Sequence, residues 1–342
     1  MECIKKDNHY VPQAYLRQWM INGKVLTYRL LVPHVKSAIW KPLSPKSLAM
    51  LQHLYTYYSG TKDSDEIERW LDRDFEAPGF ASIAKVVSES QLTREDWNNL
   101  FRFAVAQSVR TPAQMQRFIK RQNETLEALL CESMEWSIAK IESASATGVQ
   151  PEPPPDRDPY SKLPLKLQRV KNEDGEEGIK AQVLNGRKFW IWQMEHVLKS
   201  TINRLPNHRW TILHAPPGVT WPTTDNPFMR VGVGANGALS LEGGWDVPGT
   251  TLFMPLSPKH LLFTSVGSQP PQRGTTLSLE DAAFFRTMIL TGAHLYIFAT
   301  DTRDIQEYRP RTVSLEQCEA EKKYWEEWHE NQSREEADYP DL

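Results

Sequence analysis

The sequence predicts an α+β protein: a large helical block with a short N-terminal β element, packed on a smaller C-terminal β-rich block. Three observations predict it. Apolar residues recur at helical spacing behind capping signals between residues 65 and 143. Short β-type runs between Pro/Gly punctuation dominate after residue 210. The Pro-rich, charged stretch 147–160 (TGVQPEPPPDRDPY) fits no packed element and separates the two. The expected division is therefore an N-terminal block 1–146, a linker or exposed loop 147–160, a C-terminal α+β block 161–313 and a charged tail helix 314–342.

The elements follow in order. Pro12 suits the first turn of a short helix, where its missing N–H costs nothing, and Tyr15, Leu16 and Trp19 share one face. Asn22-Gly23 is a turn signal, and the run 24–30 (KVLTYRL) reads as a strand behind it. The run 54–58 (LYTYY) is a second aromatic strand. Residues 65–75 carry the stripe Ile67, Trp70, Leu71 and Phe75, and Pro78-Gly79 should break or bend that helix. Thr93 and Asp96 form a capping box for a helix running to about Val109. Thr111 and Pro112, as N-cap and first residue, restart a long amphipathic helix to about Ser143.

Residues 171–178 (KNEDGEEG) read as an acidic turn, and 186–204 as a helix with Phe189, Trp192, Met194, Val197 and Leu198 apolar. Strands are expected at 210–214, 227–233, 251–254, 261–264 and 294–299, with one helix at 279–290. The tail ends in a charged helix and a polar terminus that should fray.

Composition bounds the function. Lys plus Arg is 40 and Asp plus Glu 43, a net charge of −3, which excludes a strongly basic nucleic-acid binder but not a local basic patch. Arg117 to Arg121 and Lys162 to Lys171 are basic stretches of that kind, equally read as solvated faces. No apolar run reaches membrane-spanning length, and the first twenty residues lack a secretory signal. Cys3, Cys131 and Cys318 are odd in number and far apart, so neither a disulfide framework nor a zinc knuckle is expected. Together these point to a cytoplasmic protein. Cys131 falls in a helical pattern and is expected in the core.

Polar residues embedded in apolar runs are the candidate site. His9 precedes the Pro12 helix, where the positive end of the helix dipole favours a neutral imidazole suited to general-base work; alternatively it caps the helix. Gln107 and Arg110 share a helix face, and Arg110 stands at a helix junction. There a guanidinium either grips a phosphate or bridges to Glu68 or Glu76 as a brace. Asp225, in the run Thr224-Asp225-Asn226-Pro227, either starts a turn or orients a catalytic group. No dinucleotide fingerprint, Walker A loop, HExxH or GxSxG elbow is present.

The motifs HYVPQxYLxxW at 9–19, QxxRTP at 107–112, TDNP at 224–227 and PLSP at 255–258 together resemble the DUF4238 family, a widespread group of mostly bacterial proteins named as a domain of unknown function. The resemblance spans roughly 8–300. It implies a pair of glutamates in a first helix, for which Glu68 and Glu76 are the best matches; eight residues apart, they face broadly the same way. Thr224 and Trp19 stand where serine and phenylalanine are common in the family. The family brings no established activity.

From the side chains, the expectation is a metal-independent hydrolase acting on a nucleic acid or nucleotide, in the manner of a toxin or defence effector. His9 would be the acid/base, Arg110 the anion clamp, Asp225 the orienting carboxylate and Gln107 a hydrogen-bonding amide. A weaker alternative places Mg²⁺ or Mn²⁺ between His9, Glu68, Glu76 and Asp225. The rival is a non-enzymatic binding or scaffold protein, in which some of the twelve tryptophans furnish an aromatic groove for a partner or a single-stranded nucleic acid.

Overall fold

The computed structural model describes residues 6–59, 62–148, 165–171, 175, 177–205, 207–234 and 237–339. The chain opens with β1 (Asp7–His9), then α1 (Gln13–Leu16) and a 3₁₀ turn at Arg17–Trp19, with Pro12 immediately before the helix. β2 (Met20–Ile21) and β3 (Lys24–Arg29) form a hairpin through Asn22 (φ 51°) and Gly23 (φ 78°), the two left-handed residues that a primed turn requires. Next come β4 (Leu31–Val32), β5 (Trp40–Leu43), β6 (Met50–Gln52), β7 (Tyr57–Ser59) and β8 (Lys62–Ser64). The strand expected over 54–58 thus starts only at Tyr57. Leu54, Tyr55 and Thr56 are buried outside any strand, because Tyr55 is drawn inward to Asn8 and Arg110.

The helical layer follows. α2 (Glu66–Leu71) passes through a π turn (Asp72–Glu76) into α3 (Ala77–Val87), so Pro78-Gly79 does not end the helical run, and the irregular turn falls just ahead of it. Pro78 has no N–H to bond back one turn, and the wider π turn before it absorbs the lost bond. Gly79 is needed for close packing: a Cβ there would lie 2.8 Å from Phe103 Cβ on the next helix. That helix, α4 (Arg94–Gln107), carries the capping box of Thr93 and Asp96. α5 (Pro112–Thr147) starts from Thr111, whose side chain accepts from Gln114 N, and Pro112 sits in its first turn. The helix buries Pro112, Ala113, Met115 and Phe118; beyond them Leu129, Trp136, Ile138 and Ile141 are exposed. Cys131 is exposed too, a correction to its expected place in the core. It lies on the part of α5 that has outrun the packed block. The expected linker, from residue 149 onward, lies outside the described residues, as do Cys3 and part of the acidic turn 171–178.

β9 (Leu165–Lys171) and β10 (Glu177–Val183) pair antiparallel on either side of that turn. α6 (Arg187–Lys199) ends in a 3₁₀ turn at Thr201–Asn203. The C-terminal strands are β11 (Thr211–His214), β12 (Thr223–Thr224), β13 (Met229–Val233), β14 (Leu239–Ser240), β15 (Thr251–Pro255) and β16 (His260–Ser265). They are followed by α7 (Leu279–Gly292) and β17 (Tyr296–Ala299). One antiparallel sheet has the order β11-β16-β15-β13-β14, and α7 covers it through Phe253, Phe263 and Phe285. A second sheet, β12-β17-β3-β2 with β5 also on β3, joins strands from both ends of the chain. The expected N- and C-terminal blocks therefore share a sheet.

α8 (Ile305–Tyr308), β18 (Thr312–Val313), parallel to β4, and α9 (Leu315–Asp338) complete the chain. The tail helix is docked: Trp328 and Glu336 are buried, and Glu336 takes a two-pronged bond from Arg187 at 2.9 and 2.7 Å. Helix makes up 47 % and strand 20 %, so the α+β class stands. Among the described residues no helix is long and apolar enough to cross a membrane.

Candidate functional site

Four short segments fold onto each other, and their buried polar atoms pair with one another. Tyr15 and Trp19 on the α1 turn are fully buried. The Tyr15 hydroxyl donates to the Pro255 carbonyl at 2.6 Å and shares a 2.7 Å bond with Thr223 Oγ1. Trp19 Nε1 donates to the Trp221 carbonyl. At the start of α5, Thr111 Oγ1 and Gln114 Nε2 both donate to Asn226 Oδ1, while Asn226 Nδ2 donates to the Gly292 carbonyl. The segments around 9–19, 107–112, 224–227 and 255–258 thus converge in one buried network.

Arg110 is the centre of it and is 0 % exposed. Its Nη1 donates to Glu76 Oε1 at 2.5 Å, its Nη2 to the His9 carbonyl at 2.7 Å and its Nε to the Tyr55 hydroxyl at 3.2 Å. Tyr55 returns its proton to the Arg110 carbonyl at 2.7 Å. Glu68 Oε2 lies 3.9 Å from Nη2. Burial alone would push the guanidinium pKa down; Tyr55, Glu76 and Glu68 hold it above the ordinary range. The guanidinium already supplies the positive charge that the two glutamates share, which disfavours Mg²⁺ or Mn²⁺ between them.

Of the other three candidates, His9 and Asp225 also have protein partners, and Gln107 does not. His9 is half-buried, with Nε2 3.1 Å from the Lys46 carbonyl, and it meets Arg110 through its backbone rather than its ring. Asp225, 1 % exposed, accepts the backbone N–H of His294 on one oxygen and of Leu295 on the other. Burial pushes its pKa up to about 6 against the pull of those N–H groups. Gln107 is fully buried, and its amide finds no hydrogen-bond partner among the described residues. The hydrogen bonds of Arg110, Thr111, Gln114 and Asn226 tie the helical layer to the segments around His9, Asn226 and Gly292.

The open site lies elsewhere, where α4 faces the turn after α6 and the loop after β16. A cleft of about 1280 Å³ is lined there by Arg94, Trp97 and Phe101 from one face of α4, by Arg209 and Trp210 ahead of β11, and by Arg273. The Phe101 and Trp210 ring centres are 6.1 Å apart, and Trp245 meets Phe101 edge-on at the same distance. Trp97, Phe101 and Trp210 are only partly buried against the core, which leaves ring surface facing the cleft. Arg94 and Arg209 are exposed and make no ion pair among the described residues. Arg273 is steadied by a bond from Nη2 to the Ser90 carbonyl. A smaller cavity of about 280 Å³, lined by Arg117, Lys120, Thr291 and His294, backs onto the Asn226 joint and has no aromatic wall.

The sequence singles out no cleft residue by number, although Trp97 and Trp210 are among the tryptophans it offers for an aromatic groove. The available signal is Arg94, Trp97 and Phe101 at helical spacing behind a strong cap. Arg209-Trp210 and Arg273 join them only through tertiary structure.

A family model described as "Protein of unknown function (DUF4238)" matches residues 7–303. No curated protein and no solved structure matches the chain.

Proposed function

Because the chain belongs to the DUF4238 family, a family without a described activity, its function is argued from side chains, and we propose that it binds single-stranded nucleic acid in the α4 cleft. The observation that carries this is one cleft walled by three aromatic residues and three arginines against one carboxylate, Glu95, with Arg94 and Arg209 in no ion pair among the described residues. Bases stack on aromatic rings whatever their identity, and guanidinium groups follow the phosphates. The volume exceeds the roughly 300–1,000 Å³ of small-molecule pockets, which favours a ligand longer than one nucleotide. A net charge of −3 makes binding depend on this local patch rather than on the whole surface.

Hydrolysis by His9, Gln107, Arg110 and Asp225 has less support, since each guanidinium nitrogen of Arg110 already has a protein partner and both Asp225 oxygens accept backbone bonds. The binding reading is tested by fluorescence anisotropy with a labelled oligothymidylate, the probe being recovered afterwards and checked for cleavage. Binding by wild type that Arg209→Glu weakens supports the reading. No binding up to about 100 µM, the weak end of non-specific affinity, overturns it. Cleavage that persists in His9→Ala would detach hydrolysis from the buried set.

A further inference from the structure

Beyond the cleft, two histidines and a glutamate meet where the helical layer touches the sheet edge. His214 on β11 and His260 on β16 stand directly opposite each other in the antiparallel register, and their rings are 5.0 Å apart. Glu89, just past the end of α3, reaches both: its Oε1 is 2.8 Å from His260 Nε2 and 3.6 Å from His214 Nε2. The three potential ligand atoms all lie within 4.8 Å of one another. We propose that Glu89, His214 and His260 form a binding site for a divalent transition ion of the zinc type.

The geometry fits that ion. Bonds of 2.0–2.1 Å in a tetrahedron place neighbouring ligand atoms about 3.4 Å apart, between the two distances observed here. Two imidazoles and one carboxylate suit zinc or cobalt better than an all-oxygen cation. Lys259 and Arg273 are the neighbouring cations, and they further disfavour an ion held by charge alone. The second shell is already built. Ser257 Oγ lies 2.7 Å from His260 Nδ1 and accepts the backbone N–H groups of Lys259 and His260, which fixes the ring's orientation.

Without an ion, Nε2–H of His260 points at Glu89. When the ion binds, the ring stays neutral and its one proton moves to Nδ1, where Ser257 Oγ accepts it in place of one of the two backbone N–H groups. His214 and Glu89 keep side-chain exposures of 25 % and 58 %, so the fourth position faces solvent, the arrangement of an ion that carries a water. His214 is three residues along β11 from Thr211 of the cleft wall, roughly 10 Å. The inference does not rest on nucleic-acid binding.

The test uses tag-free full-length protein, treated with chelator, dialysed, and titrated with Co²⁺ by visible absorption and with Zn²⁺ by calorimetry. Wild type should take up one equivalent and give the intense visible bands of tetrahedral cobalt. His214→Ala should weaken binding roughly 100-fold, at least as much as loss of an outer-shell partner does. Glu89→Gln should do the same while its amide oxygen still accepts from His260, and the exposure of Glu89 keeps this variant folded even if His214→Ala is not. A wild type that takes up neither ion overturns the proposal and leaves the cluster a hydrogen-bonded brace. So does equal affinity in wild type and Glu89→Gln.

Discussion

Replacing Arg110 with alanine removes three hydrogen bonds at once and leaves Glu76 and Glu68, with side-chain exposures of 12 % and 4 %, without their shared cation. Breaking a buried ion pair from one side costs about 3–5 kcal/mol, a large part of the 5–15 kcal/mol that holds a typical domain. With an unfolding entropy of about 2.1 cal/mol/K per residue, a chain of this length should lose about 4–7 °C in Tm. Arg110→Lys keeps the charge but cannot serve Glu76, the His9 carbonyl and the Tyr55 hydroxyl together, so most of the loss should remain. The assay is urea denaturation followed by tryptophan fluorescence, with Glu76→Gln and the double variant completing a cycle. Coupling between the two sites should be strong. A loss below about 1 kcal/mol in Arg110→Ala would refute the brace, because a stranded buried carboxylate cannot be that cheap.

Asp225 should make stability fall as pH rises. Its folded pKa, about 6, lies above the unfolded value near 3.9, so its contribution is fully present below pH 4 and is lost as the pH rises through about 6. The stability of wild type relative to Asp225→Asn should therefore drop by about 2 kcal/mol between about pH 4 and pH 6 and by about 3 kcal/mol in total once the pH is well above 6; a flat difference would contradict the assignment. Gln107→Met keeps the shape of a side chain whose amide has no partner among the described residues, so Tm should hold or rise, and a loss above about 1 kcal/mol would show that the amide is satisfied. Deleting the tail helix from residue 315 onward leaves the fully buried Arg187 without Glu336 and uncovers the surface that Trp328 packs on. Soluble protein with unchanged Tm would mean that the tail is not part of the core.

Much of the fold was readable because local signals agreed with tertiary need. Thr93 with Asp96 and Thr111 with Pro112 set the starts of α4 and α5, and Asn22-Gly23 set the β2–β3 turn. The errors came where tertiary contacts overrode local rules. Pro78-Gly79 reads as a break or bend; the helical run continues because a π turn takes up the proline, and Phe103 requires the glycine. The run at 54–58 reads as a strand, yet Tyr55 is pulled into the Arg110 network. Embedding does mark buried polar residues: Arg110 meets the His9 carbonyl, while Asp225 bonds the backbone of residues 294 and 295, and embedding alone does not distinguish a joint from a cleft. The cleft and the Glu89–His214–His260 cluster were invisible for a different reason. Their residues come from separate elements, and only the β11–β16 register puts the two histidines opposite each other.

The central claim is that ligand binding belongs to the α4 cleft while the buried Arg110 network holds the layers together. The salt dependence of oligothymidylate affinity tests it most directly. Three arginine–phosphate contacts on a single strand predict a slope of log K against log salt of about −2, reduced in magnitude by about 0.7 or more in Arg209→Glu. A slope unchanged by Arg209→Glu, or wild-type affinity that does not depend on salt, would contradict the account.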